Sequence, residues 1–229
     1  MSRHIGIVAC SAEGAALCYR TICDEAPALM GPHRHPEVSM HTHSLGEYMT
    51  FIRSYDWQGV AELMLSSAEK LSKTGADFLI CPDNTIHHAF DYVAAQSPLP
   101  WLDIADEVAK VAQSQGFRKL AVTGTKYTME GSVYQTKLPA AGFQYRVPNA
   151  EERARIDQII MDELVNGIFT NESRAYFQQV IGKLKDEGCD AVVLGCTEIP
   201  LIVDDSISPL PTLDSTRILA RAALRRALE

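Results

Sequence analysis

Short apolar runs alternate with longer stretches of helical spacing along this chain. Residues 5–10, IGIVAC, form an apolar run that ends at Ser11-Ala12-Glu13-Gly14. AALCYRTICDEA follows with helical spacing, and PEVSMHTHS (36–44) reads as a second strand. In WQGVAELMLSSAEKLSKTG the apolar positions 60, 63, 64, 65, 68 and 71 share one helical face, and Gly75 stops the helix. ADFLIC is the next strand. This alternation predicts an α/β fold with mainly parallel sheets.

The pattern also repeats. EKLSKTGADFLICPDNTI (69–86) aligns with GKLKDEGCDAVVLGCTEI (182–199) at an offset of 113. SPLPWLD (97–103) returns as SPLPTLD (208–214) at an offset of 111, with six of seven residues identical. RHIGIVACS (3–11) and RKLAVTGTK (118–126) share a pattern at an offset of 115. Three segments in one order at nearly one offset predict two homologous lobes: 1–98 plus 213–229, and 99–212. The expected arrangement is pseudo-twofold, with the active site in the cleft between the lobes and a C-terminal helix returning to the first lobe.

The repeat picks out two positions. Asp83 lies eight residues after Gly75, and Cys196 lies eight residues after Gly188. Each closes a strand at its carboxyl end, where open α/β sheets bind ligands. Polar residues follow each, Asn84-Thr85 and Thr197-Glu198, and the turn after Asp83 is expected to expose its side chains. A helix is expected next, with Pro200 suited to a first turn. The field of such a helix start favours an anion and lowers the pKa of a thiol.

Composition narrows the choice of partner. The chain has 229 residues, 46% hydrophobic and 22% charged, which argues against disorder and for a sizeable core. Net charge is −8 with no block of one sign, so a nucleic-acid surface is not expected. No apolar run is long enough to span a membrane. The N-terminus is too short and strand-like to be a signal peptide. Six cysteines without a CxxC pair read as reduced cytosolic thiols.

The motifs around these two positions resemble the aspartate/glutamate racemase family, amino-acid racemases that use no pyridoxal phosphate. VVLGCTEIPLI (192–202) carries the family's second cysteine motif, and DNTIHH stands at the first, with Asp83 where members usually have Cys. TGTKYTM (123–129) is similar to a Gly-Thr-x-x-Thr-Met turn of the second lobe. The N-terminal turn departs from the family, with Ala9-Cys10-Ser11 in place of Gly-Gly-Met.

The resemblance implies two α/β lobes, a homodimer in the cytoplasm, a small amino-acid substrate and no cofactor. It implies Asp83 and Cys196 as the acid and base on either side of the substrate α-carbon. Asn84, Thr85 and Thr197, with Thr125 and Thr128, stand where donors to the α-carboxylate are placed, and Glu198 supports the thiol from behind. Two alternatives stay open. Single-cysteine relatives decarboxylate malonates, and a non-catalytic protein would use Asp83 to pair with a ligand ammonium.

Arg53, after the second strand, is a candidate for a substrate side-chain carboxylate. Ser11 and Lys126 occupy matched turns and are further ligand candidates. Cys81 reads as buried packing or as a substitute for the missing thiol. His87 and His88 read as helix-start or core residues. The four histidines between 33 and 43 lack the convergent spacing of a metal site, so no metal is expected.

Overall fold

The computed structural model describes residues 2–229. The chain divides into two compact units, Met1–Glu107 with Thr216–Glu229, and Val108–Ser215. In the first, β1 (Ile5–Ala9), α1 (Ala12–Glu25), α2 (Pro27–Met30), β2 (Val38–Thr42), α3 (Leu45–Arg53) and α4 (Trp57–Lys73) follow in order. β3 (Phe78–Ile80), a 3-10 helix (Thr85–Ala89), α5 (Phe90–Gln96) and β4 (Trp101–Leu102) complete its sheet side. α6 (Ile104–Ser114) carries the chain into the second unit.

That unit holds β5 (Lys119–Gly124), α7 (Lys126–Glu130), α8 (Ser132–Ala140), β6 (Gln144–Arg146), α9 (Ala150–Asp162) and a short 3-10 turn (Leu164–Asn166). α10 (Asn171–Asp186), β7 (Ala191–Gly195), a second 3-10 turn (Ile199–Leu201) and β8 (Thr212–Asp214) follow, and α11 (Ser215–Leu228) returns to the first unit.

Each unit has one four-stranded sheet, in the orders β2-β1-β3-β4 and β6-β5-β7-β8. All the pairings are parallel. This is the α/β architecture of two parallel-sheet lobes that the alternation predicts. β1 and β7 are buried along their whole length, as central strands covered on both faces must be. The first core joins Ile5, Ile7, Phe78 and Ile80 to Cys18 and Ile22 of α1, and to Leu219 and Ala223 of α11. The second joins Val192 and Leu194 to Ile156 and Ile159 of α9, and to Phe177 and Ile181 of α10. On α4, Val60, Met64, Ala68 and Leu71 are buried, while Leu63 and Leu65 lie half-buried at the edge of the apolar stripe.

The sequence repeat has a physical basis in both units. Gly75 and Gly188 take φ of +89° and +88°, the left-handed conformation that closes a helix without a Cβ clash. The next residue then returns its N–H to the helix, Ala76 to Leu71 O and Cys189 to Leu184 O. Asp77 and Asp190 each use a carboxylate to accept an N–H at the start of the neighbouring strand, from His4 and from Arg118, both at 2.7 Å.

Candidate active site

The turn after β3 is stapled from several sides. The Asp83 carboxylate accepts the Ile86 N–H at 3.2 Å, which starts the 3-10 helix. The Asp83 carbonyl receives the Nδ1 of buried His87 at 2.6 Å. His87 lies parallel to Phe90, with ring centroids 5.0 Å apart, and its Nε2 meets the Ile104 N–H at 3.4 Å. This packing corrects the expected exposure. Asn84 is buried, and only Asp83, Thr85 and His88 remain half-open. In a 3-10 helix, residues three apart eclipse, so Thr85 and His88 share the open face while Ile86, His87 and Ala89 turn inward. His88 stacks on Trp57 at 4.3 Å.

Tyr48, on α3, is a neighbour of Asp83 that sequence reading missed, because a tyrosine in an amphipathic stretch looks like ordinary core. Its hydroxyl is fully buried. Burial, then the charges available at Cys81, Cys10 and Asp83, push the phenol upward, with Ser67 opposing slightly, so it stays protonated. The Cys81 thiol is pushed well up as well, first by burial and then by Asp83, which keeps it protonated.

In the second unit Gly124 and Gly195 are paired across β5 and β7, so Thr125 and Cys196 leave neighbouring strand ends side by side. A Cβ on Gly195 would lie 2.7 Å from the Thr123 carbonyl oxygen and 3.1 Å from Thr128 Cγ2, so this approach requires glycine. The Cys196 thiol donates to Glu198 Oε2 at 3.0 Å, and the Thr197 hydroxyl donates to the same oxygen at 2.6 Å. All three side chains are buried. Among the described residues, the element directly after Cys196 is not an α-helix. The three-residue turn Ile199–Leu201 takes its place, with Pro200 in its first turn, so the expected helix-start field is replaced by a contact with a carboxylate.

The Asp/Glu/Hydantoin racemase family profile matches residues 5–223. This chain belongs to that family. A candidate Asp/Glu racemase from Yersinia pestis has the same fold, with a TM-score of 0.92 and 32% identity over 99% of this chain and all of that one. An aspartate racemase homologue from Pyrococcus horikoshii superposes at a TM-score of 0.86, with 28% identity and full coverage of both chains. The broad-specificity amino-acid racemase RacX of Bacillus subtilis is 25% identical over 172 residues, covering 75% of this chain and 74% of its own.

Within this racemase-family frame, the structure sorts the remaining candidates. Asp83, Asn84, Thr85 and Ser11 belong to the first unit, and Cys196, Thr197, Glu198, Thr125 and Thr128 to the second. Ser11 caps α1 by accepting the Gly14 N–H at 3.2 Å. Thr125 caps α7 by accepting the Thr128 N–H at 3.3 Å, and the two hydroxyls are 3.3 Å apart. Both residues thus hold the local backbone at a strand end. Lys126 donates its N–H to Asp157, and its ammonium lies over the Tyr127 ring. Arg53 is exposed in the last turn of α3. Of the four histidines between 33 and 43, His41 bonds Ser67, His43 bonds Ser66, and His35 bonds the Pro36 carbonyl. Among the described residues no three His, Cys, Asp or Glu side chains form a metal-binding group. Nor is any described helix long and apolar enough to cross a membrane.

Proposed function

We propose that this chain is a cofactor-independent amino-acid racemase acting on aspartate, glutamate or a related amino acid. The observation that supports this most is the Cys196–Glu198 contact, a thiol with a carboxylate in place to take its proton. Glu198 accepts the thiol proton, and the resulting thiolate removes the α-proton of the substrate. The carbanion then takes a proton on its other face from the Asp83 carboxyl. The Cys196 thiolate has become a thiol again by taking the α-proton, and loss of the Glu198 proton to solvent with reprotonation of Asp83 from solvent completes the cycle. Backbone and hydroxyl donors, with Asn84, Thr85 and Thr197 as the candidates, stabilise the charge that builds on the α-carboxylate.

Asp83 makes the pair unequal. Reference pKa values of about 3.9 and 8.5 make a free Asp weaker than a Cys as a base by roughly 6 kcal/mol. To act as the acid Asp83 must carry a proton, a state that desolvation by bound substrate and the charge of the substrate carboxylate favour; one enantiomer is then turned over faster than the other. The reading requires Asp83 and Cys196 to reach one substrate. Deuterium uptake at the α-carbon, followed for L- and D-amino acids in deuterated water, tests it. Exchange must occur without added pyridoxal phosphate and must vanish in Cys196→Ala. Release of carbon dioxide from substituted malonates, with no amino-acid exchange, would instead establish the single-thiol lyase reading that Asp83 also suits.

A further inference from the structure

We propose that His87, held as the neutral Nδ1–H tautomer, is the positioning residue for Asp83. The inference rests on the racemase reading above and extends it to a residue with no place in that proton path.

His87 has two partners of opposite kind. The Asp83 carbonyl oxygen can only accept, and it lies 2.6 Å from Nδ1. The Ile104 N–H can only donate, and it points at Nε2 from 3.4 Å. One ring satisfies both only with its proton on Nδ1 and a bare Nε2. The ring has little freedom to turn. It is 6% exposed, and it lies on Phe90 with an interplanar angle of 9°. Phe90 in turn meets Trp101 edge-on at 6.0 Å. The imidazole therefore ties the backbone at Asp83 to the first residue of α6, a helix whose start is independently fixed by Asp103 accepting the Ala105 and Asp106 N–H groups.

The consequence falls on the carboxylate. Asp83 has its carbonyl anchored by His87 and one carboxylate oxygen anchored by the Ile86 N–H. Releasing the first anchor frees the carbonyl side of Asp83 from its tie to α6. The carboxyl then loses its aim although its chemistry is unchanged. A misplacement of about 1 Å at a reacting group can reduce turnover about a hundredfold.

The experiment combines nitrogen NMR with two substitutions. Imidazole nitrogen shifts of the full chain must show a protonated Nδ1 and an unprotonated Nε2 for His87 near pH 7. His87→Asn places an amide N–H where Nδ1–H stood and keeps the bond to the Asp83 carbonyl. His87→Phe keeps the ring on Phe90 and loses both hydrogen bonds. In the α-deuterium assay, His87→Phe is expected to lower kcat about a hundredfold with KM within about twofold of the parent, and His87→Asn to recover most of that loss. Thermal melts separate aim from folding: a structural role alone would favour Phe, the better packing partner. A Phe variant with parental kcat, an Asn variant no better than Phe, or an Nε2–H tautomer overturns the proposal. If the parent exchanges no amino acid, the racemase reading fails, and the nitrogen shifts with the exchange protection of the Ile104 amide still decide whether His87 holds this turn.

Discussion

Glu198 accepts two hydrogen bonds on one oxygen, from the Cys196 thiol and from the Thr197 hydroxyl. In a buried setting such a network polarises its members and makes each more dependent on the others. Glu198→Gln keeps the size of the side chain and removes its ability to take the thiol proton. The expected outcome is a fall in α-proton exchange of about a hundredfold, the lower range for loss of a general base. Parental exchange rates in this variant would remove Glu198 from the proton path. Sequence reading placed Glu198 behind the thiol but could not give the contact. Residues i and i+2 meet only if the strand ends in a tight turn, and here the turn from Cys196 to Ile199, closed by the Ile199 N–H on the Cys196 carbonyl at 3.3 Å, supplies it. His87 was legible as a core histidine. Its two partners were not, because one of them, Ile104, lies 17 residues away at the start of another element.

At the scale of elements, the β5–β7 pair sets where Cys196 begins. Gly124 and Gly195 are opposed, and a Cβ on either would lie 2.7 Å from backbone oxygen of the other strand, a contact that backbone cannot relieve. Gly195→Ala is expected to destabilise the fold by about 1–3 kcal/mol, the usual range for overpacking, with reduced turnover from the shifted strand end. A melting temperature equal to that of the parent would show that the strands can separate freely.

The edge strand β2 makes a different prediction. His41 is held below its ordinary value of 6.5, first by burial, then by Lys70 and His43. Its ring bonds Ser67, stacks edge-on with His43 at 4.9 Å, and lies on the strand that leads to Glu47 beyond. A histidine with a lowered folded-state pKa takes up its proton more readily when unfolded. Its contribution is complete above 6.5 and is lost as pH falls through 6.5 towards the lower folded value. Melting temperature should therefore drop between pH 7.5 and pH 5.5, and drop less in His41→Gln. An equal drop in both proteins would assign the effect to other groups.

At the scale of the whole chain, the duplicated pattern was the most legible feature. The matched glycines, the matched aspartates and the SPLP segments each perform one task twice: closing a helix, tying a strand start, and pairing an outer strand. For the last, Leu79 donates to the Pro100 carbonyl and Val192 to the Pro211 carbonyl. Repetition marks such backbone tasks because they depend on residue type at a fixed offset. It could not show the 3-10 turns after Asp83 and Cys196, because apolar residues following a polar turn fit an α-helix equally well. The two units also differ at the positions that matter most for chemistry, a carboxyl in one and a thiol in the other.

The most direct test follows deuterium uptake at the α-carbon for each enantiomer of aspartate and glutamate, with the parent, Cys196→Ala and Asp83→Asn side by side. The account predicts exchange and inversion in the parent, with one enantiomer favoured, and neither in Cys196→Ala. In Asp83→Asn it predicts exchange of one enantiomer through Cys196 with no inversion. Inversion at the parental rate in Asp83→Asn would contradict it.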